Sequence, residues 1–273
     1  MKISVIVSTY NRPDALNAVL AGFCQQKEID QNDWELIIAD DGSREPTMRV
    51  IEQYRPFFGE NLKHVWHPDN GFRLAEIRNK AALESAGDYL VFLDGDCIPM
   101  SDFVSQHQRL AESGKVVAGN RILLSKTYTS DLLISSRLNE PCSWGVFQWF
   151  LAKWSGKTNK ALGWLRLDLE KYRNRRANDW RVLRGCNIGV WRKDFLIVDG
   201  FDASFSGWGY EDSDFAVRML RLGVHIKDGR FAVPVLHLWH PENDRSSKTE
   251  NWNRFERSLK GNRIEALKGI SSL

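Results

Sequence analysis

A chain of 273 residues, 42% hydrophobic and 27% charged, has the make-up of a soluble globular protein with an ample core, built as one large domain or one domain with an extension. Its net charge of +3 is too small to argue for nucleic acid as a partner. Cys24, Cys97, Cys142 and Cys186 lie far apart with no CxxC pair, which excludes a cysteine zinc site and a disulfide scaffold and points to a reducing compartment. The opening Met1-Lys2-Ile3-Ser4-Val5-Ile6-Val7 is too short for a signal peptide, and no apolar run approaches a membrane span. The expectation is a cytoplasmic protein.

Taken in chain order, residues 3–8 read as a first strand, and Arg12-Pro13-Asp14 opens a helix to about Gln26 with Pro at its first position. Trp34 to Ala39 is the second strand, and Asp40-Asp41-Gly42-Ser43 is its turn. A helix through Tyr54, a strand at Leu62–Trp66 and a helix near Leu74–Ala86 follow, before the apolar run Tyr89-Leu90-Val91-Phe92-Leu93. This alternation predicts an α/β fold with a mostly parallel central sheet and helices on both faces. Ligands of such sheets bind beyond the carboxyl ends of the strands, so Ser8-Thr9-Tyr10-Asn11, Asp40-Asp41 and Asp94 to Asp96 should converge on one crevice. No Gly-x-Gly-x-x-Gly or Gly-x-x-x-x-Gly-Lys loop is present, which argues against Rossmann dehydrogenases and P-loop enzymes.

Asp94-Gly95-Asp96 leaves the fourth strand at once. Alone, such a triplet reads as an ordinary surface turn. Two carboxylates at the exit of a buried strand repel and lose water, however, and a divalent cation relieves both costs. The reading is a metal–diphosphate site for Mn²⁺ or Mg²⁺. An aspartyl-phosphate nucleophile at Asp94 is a rival, although such motifs prefer the first strand.

Residues 125–180 differ in character and form a helical insert. Trp144, Phe147, Leu151 and Trp154 recur at helical spacing, Trp149 and Phe150 widen that face, and Arg173-Asn174-Arg175-Arg176 is a basic run. The stripe is either core or a patch dipping into an anionic membrane surface met by the basic run. Beyond it, Gly207-Trp208-Gly209-Tyr210-Glu211-Asp212-Ser213-Asp214 precedes a periodic helix. Acids in a first turn serve as caps, but Trp208 between two glycines suggests a flat ring for a sugar face, and an ionised Asp beside it can accept a proton from a hydroxyl. Val233 to Leu236 is an apolar run ending at His237, with His240 three residues on; either histidine is structural or completes the Asp96 metal shell.

With these motifs in place the chain resembles a family 2 glycosyltransferase of the GT-A fold, from Ile3 to about Asn243. The resemblance is carried by Val5-Ile6-Val7-Ser8-Thr9-Tyr10-Asn11-Arg12-Pro13, Ala39-Asp40-Asp41-Gly42-Ser43, Asp94-Gly95-Asp96 and Gly207 to Asp212. The segment Gly71-Phe72-Arg73-Leu74-Ala75-x-x-Arg78-Asn79 is similar to bacterial chondroitin- and hyaluronan-type polymerase domains, and the Trp-Gly-x-Glu-Asp run to the β-1,4-galactosyltransferase catalytic domain.

The resemblance implies that Ser8, Tyr10, Asp41, Arg78 and Asp94 bind the nucleotide and that Asp96 binds the metal, with His237 or in its place His240 as a second ligand. It implies Asp212 as general base, Trp208 and Glu211 as sugar contacts, and inversion of configuration. The expected activity is metal-dependent transfer of a hexose or N-acetylhexosamine from a UDP-sugar to a glycan or lipid-linked glycan, in lipopolysaccharide or capsule synthesis at the inner face of the cytoplasmic membrane. A non-catalytic carbohydrate-binding protein is the alternative. Residues 1–245 would form the GT-A domain and 246–273 a polar, basic loop and helix.

Overall fold

A computed structural model describes residues 1–273 apart from Ser136, Asn139 and Asn243, so the far end of the resemblance lies outside the described residues. The first part alternates β1 (Ile3–Thr9), α1 (Pro13–Phe23), β2 (Trp34–Asp40), α2 (Glu45–Phe58), β3 (Leu62–Trp66), α3 (Leu74–Leu83) and β4 (Tyr89–Asp94). Then come β5 (Cys97–Pro99), α4 (Phe103–Leu110), β6 (Lys115–Ala118), β7 (Asn120–Leu123), α5 (Lys126–Ile134), α6 (Val146–Trp154) and α7 (Glu170–Arg173). The chain closes with β8 (Asn187–Trp191), α8 (Arg192–Ile197), α9 (Glu211–Arg221), β9 (His225–Asp228), β10 (Pro234–His237) and α10 (Lys248–Lys260).

The strands β3-β2-β1-β4-β8-β6-β9 form one sheet, parallel except for β8, which runs against both its neighbours. The near-continuous apolar runs of β1, β2 and β4 follow from burial on both faces. Ile3, Val5 and Val7 of β1 meet α1, α2 and α4 on one side, while Ile6 meets α3, α8 and α9 on the other. The chain builds outward from β1 through β2 to β3, then returns to the far side of β1 with β4. That reversal opens a crevice at the carboxyl ends of β1 and β4, where Ser8 pairs in register with Asp94. A second sheet, β5-β10-β7, leaves the first directly after Asp96. Its register sets Cys97 opposite His237, and the Leu238 N–H donates to the Asp96 carbonyl at 2.9 Å.

Several elements depart from the sequence reading. α1 ends at Phe23 instead of Gln26, because the chain turns there to meet the segment after β5: the Gln26 amide donates to the Met100 carbonyl and the Lys27 N–H to that of Ser101. α3 ends at Leu83 instead of Ala86, since the Ala86 and Gly87 N–H groups are taken by Glu35 and the Ser4 hydroxyl. In the insert, α6 begins after Trp144, and residues 156–159 run as a strap along the end of β7. No helix among the described residues is long and apolar enough to cross a membrane.

The basic run needs the largest correction. Arg173 is 4% exposed, and its guanidinium donates to the carbonyls of Leu167, Asp228 and Arg230 at 2.8–3.0 Å. Arg176 pairs with Asp179 at 2.6 Å. The run ties the insert to β9 and its following turn and does not offer three free cations to a membrane. Arg173→Ala is expected to lower the free energy of urea unfolding by about 2–4 kcal/mol, as buried carbonyls lose a charged donor. A change under about 0.5 kcal/mol, typical of a free surface arginine, would contradict this placement.

Candidate active site

The crevice has a volume of about 520 Å³ and is lined by Ser8, Tyr10, Asp41, Arg78, Asp94, Asp96, Trp208, Glu211, Asp212 and His240. These predicted residues come from six separate stretches of chain, and His237 reaches Asp96 from the end of β10 without lining the crevice. The sharp exit from β4 requires glycine at position 95, because a Cβ there would lie 2.4 Å from the Ser8 carbonyl oxygen, which the Gly95 N–H itself contacts at 2.7 Å.

Arg78 crosses the floor. Its side chain is fully buried, with Nε donating to Ser8 Oγ at 3.0 Å and Nη2 to Asp94 Oδ1 at 2.7 Å and the Gly185 carbonyl at 3.0 Å. Nη1 has no hydrogen-bond partner and faces Glu211 Oε1 at 3.8 Å. The Gly185 N–H donates in turn to Asp212 Oδ2 at 2.8 Å, and Ser213 Oγ to Asp212 Oδ1 at 3.2 Å. One guanidinium thus joins the β1–β4 floor to the acids at the start of α9.

On the opposite side, Asp96 faces two imidazoles. Its Oδ1 is 3.7 Å from His237 Nε2, and its Oδ2 is 3.3 Å from His240 Nε2. One donor atom from each residue falls within 4.8 Å of the others. His240 Nδ1 lies 2.6 Å from the Pro241 carbonyl, a contact of the kind that orients a metal-binding imidazole so that its other nitrogen faces the ion, here on the Asp96 side. Burial lowers the His237 pKa, favouring the neutral ring that a metal requires, although Asp96 opposes the shift. One carboxylate and two imidazole nitrogens suit a Mn²⁺-class cation, so the residues present fit the group the sequence implied. The sequence treated His240 as a substitute for His237; the structure brings both to Asp96.

Two predicted residues are more committed than the sequence showed. Both Asp41 oxygens accept from the protein, Oδ1 from His67 Nε2 at 2.6 Å and Oδ2 from the Arg73 N–H at 2.8 Å. Burial raises the Asp41 pKa against these two contacts. Trp208 already carries the Arg245 guanidinium 5.0 Å from its ring centre. Tyr10 lies at the rim, 44% exposed, with its hydroxyl donating to Asp69 at 2.8 Å. Missed altogether were His67, Arg121, Arg184 and the Gly185 backbone. Nothing local marks them: a lone His or Arg has no pattern, and only the fold brings Arg121, Arg184 and Gly185 to the crevice and His67 to Asp41.

Comparison with known proteins agrees with this architecture. Residues 4–194 match the model described as glycosyl transferase family 2, and residues 166–240 match one described as N-terminal domain of galactosyltransferase. The chain belongs to glycosyl transferase family 2, a family of glycosyltransferase enzymes. It is 30% identical over 235 residues to the chondroitin synthase of Escherichia coli, covering 82% of this chain but only 33% of that protein. Among solved structures it resembles residues 1–349 of S. aureus TarS in complex with UDP, with a TM-score of 0.63, 16% identity and coverage of 99% of this chain and 68% of that one. It also resembles a mannosyltransferase of Pyrobaculum calidifontis in complex with GDP-Man and Mn²⁺, with a TM-score of 0.61, 15% identity and coverage of 95% and 64%. The fold is GT-A.

Burial, with help from the Asp212 charge and against that of Arg78, raises the Glu211 pKa to about 7. An unfolded chain releases this proton near pH 4.3, whereas the folded chain keeps it up to about pH 7, so stability falls as pH rises across that window and is level above it. Glu211→Gln removes the dependence. The stability of that variant relative to wild type is expected to rise between pH 5 and pH 7.5, by at most about 3 kcal/mol in urea unfolding. Parallel stability–pH curves would sink the assignment.

Proposed function

We propose that the crevice transfers a hexose or N-acetylhexosamine from a UDP-sugar to a hydroxyl of a glycan acceptor, with inversion at the anomeric carbon. The observation that carries this reading is that Asp212, joined to Arg78 through Gly185, lines the same crevice as Asp96, which His237 and His240 face. Solved relatives of the same fold were captured with UDP or with GDP-Man and Mn²⁺, which supports a nucleotide-sugar donor.

Ser8, Tyr10, Asp41 and Asp94 line the nucleotide side, and Arg78 Nη1 is a buried donor free for a substrate oxygen. Asp96, His237 and His240 would hold Mn²⁺ or Mg²⁺, whose chemistry there is counter-charge for the diphosphate of the leaving group. Asp212, fixed by the Gly185 N–H and the Ser213 hydroxyl, accepts the proton of the attacking acceptor hydroxyl. The new bond to the anomeric carbon forms on the face opposite the departing UDP oxygen, so an α-linked donor gives a β-linkage. Glu211, protonated below about pH 7, offers a hydrogen bond to a sugar hydroxyl, and Trp208 presents its ring beside it. The acceptor is a growing lipopolysaccharide or capsule glycan, lipid-linked and met at the inner face of the cytoplasmic membrane.

Asp212→Asn is expected to lower turnover by about two orders of magnitude or more, scored by UDP release over a panel of UDP-hexoses and UDP-N-acetylhexosamines, with UDP affinity kept. Unchanged turnover would remove Asp212 as the base, and no metal-dependent turnover with any donor would favour a carbohydrate-binding protein. Asp96→Ala is expected to abolish the Mn²⁺-dependent part of UDP binding in calorimetry. Equal UDP affinity with and without Mn²⁺ in the wild type would refute the metal assignment.

A further inference from the structure

α6 exposes an apolar face that nothing among the described residues covers. Phe147, Phe150, Leu151 and Trp154, spaced to lie on one side of the helix, are 70%, 50%, 44% and 87% exposed. The opposite side is anchored: Trp149 is fully buried and lies so close to Gly163 that no Cβ fits there, and Ala152 is 3% exposed. With Trp149 fixed against the body, the helix cannot roll to hide the outer aromatics.

The charge of the segment that carries this face is one-sided. From Pro141 to Leu167 the chain has no Asp or Glu, and its cations are Lys153, Lys157, Lys160 and Arg166. Arg166 is spent on Asp102, and Lys160 donates to the Arg121 carbonyl. Lys153 and Lys157 are exposed beside the stripe, the latter over the Tyr128 ring. Aromatics along one face of a short helix flanked by exposed lysines match the headgroup region of an anionic bilayer.

We infer that the Phe147–Trp154 face of α6 docks this chain on an anionic membrane surface. The inference deepens the proposed lipid-linked acceptor but does not depend on the transfer chemistry. A second copy of the chain fits less well. A nine-residue helix is about 13 Å long and presents a few hundred Å² of apolar area, short of the roughly 800 Å² per partner of a stable protein interface. The docking face also connects to the crevice. The strap after α6 bonds to the end of β7, through Ser125 N–H to the Lys157 carbonyl at 2.9 Å and Asn159 N–H to the Leu123 carbonyl at 3.0 Å. β7 pairs with β10, whose last residue is His237. The docking helix is thus tied through the strap to the same small sheet that carries His237.

The test is flotation of the full chain with vesicles of phosphatidylcholine alone or mixed with phosphatidylglycerol. The wild type is expected to float with the mixed vesicles and much less with phosphatidylcholine alone. The pair Phe147→Ser and Trp154→Ser is expected to lower the floated fraction about tenfold with an unchanged melting temperature, as these side chains already face solvent. Lys153→Glu with Lys157→Glu gives an independent loss of similar size that leaves the apolar stripe intact. A wild type that stays in the dense fraction, or a serine pair that floats as the wild type does, overturns the inference. So does a dimer in sedimentation velocity that the serine pair dissociates without any vesicle binding. Flotation does not read sugar transfer, so an inactive protein that floats and an active one that does not are told apart.

Discussion

The fold and the site depend on the same buried cation. Arg78 is charged and has no access to water, so its guanidinium has to find partners inside the protein. It finds them in Ser8 at the end of β1, Asp94 at the end of β4 and the Gly185 carbonyl ahead of β8. Its neighbour Asn79 grips the other side, exchanging hydrogen bonds with both backbone groups of Phe201. α3 thereby joins the sheet to the loop that leads into α9. A buried arginine of this kind adds little net stability, but leaving any partner without it is expensive, and that asymmetry fixes geometry. The acids it fixes are among those the proposed chemistry uses.

The carboxylates are kept apart by what stands between them. Asp94 is neutralised by Arg78, Asp96 faces two histidines, and Asp212 accepts from a backbone N–H and a hydroxyl. Each therefore has a different chemical character although all line one crevice. Asp94, whose side chain is turned to Arg78, is already engaged and is poorly placed as a nucleophile, which weakens the phosphohydrolase reading. Two neighbours on α9 divide in the same way. Asp212 faces the crevice, while Asp214, two residues on and about half a turn round the helix, is fully buried against Arg218, Ser258 and Arg263.

The first half of the fold was legible because its strands are buried on both faces and stand out as apolar runs between turn residues. The Leu62–Trp66 strand agrees to the residue, and the start of α3 at Leu74 follows the Gly-Phe-Arg-Leu motif. Convergence of Ser8, Asp41 and Asp94 was equally legible, since it follows from a general rule about parallel sheets and needs no contact information. What stayed hidden depends on distant partners. His67 binds Asp41 from 26 residues away, and Gly185 binds Asp212 from 27. Arg173 looked like part of a surface charge run, because no pattern of charges shows which arginine meets three carbonyls. The aromatic stripe split for a related reason: helical spacing says which residues share a face, but not which face the rest of the chain will cover.

The loop before α9 shows how much the last segment contributes to the site. Gly207 and Gly209 have positive φ, and so does Tyr210, a non-glycine residue at 72°, a conformation that costs on the order of 1 kcal/mol. The strain holds because Tyr210 is fixed by α10. Its ring stacks on Phe255 at 5.6 Å and meets Trp252 at 5.3 Å, while Asn251 donates to the carbonyls of Ser206 and Trp208. Tyr210 is also the residue at which α9 begins, so its left-handed turn sets the direction in which Glu211 and Asp212 enter the crevice. A polar, basic tail that carries no chemical motif of its own thus determines where the proposed general base points. Its apolar residues are few, but Phe255 is wholly buried between Trp180 and Tyr210, and through that one side chain the tail becomes part of the framework of the proposed active site.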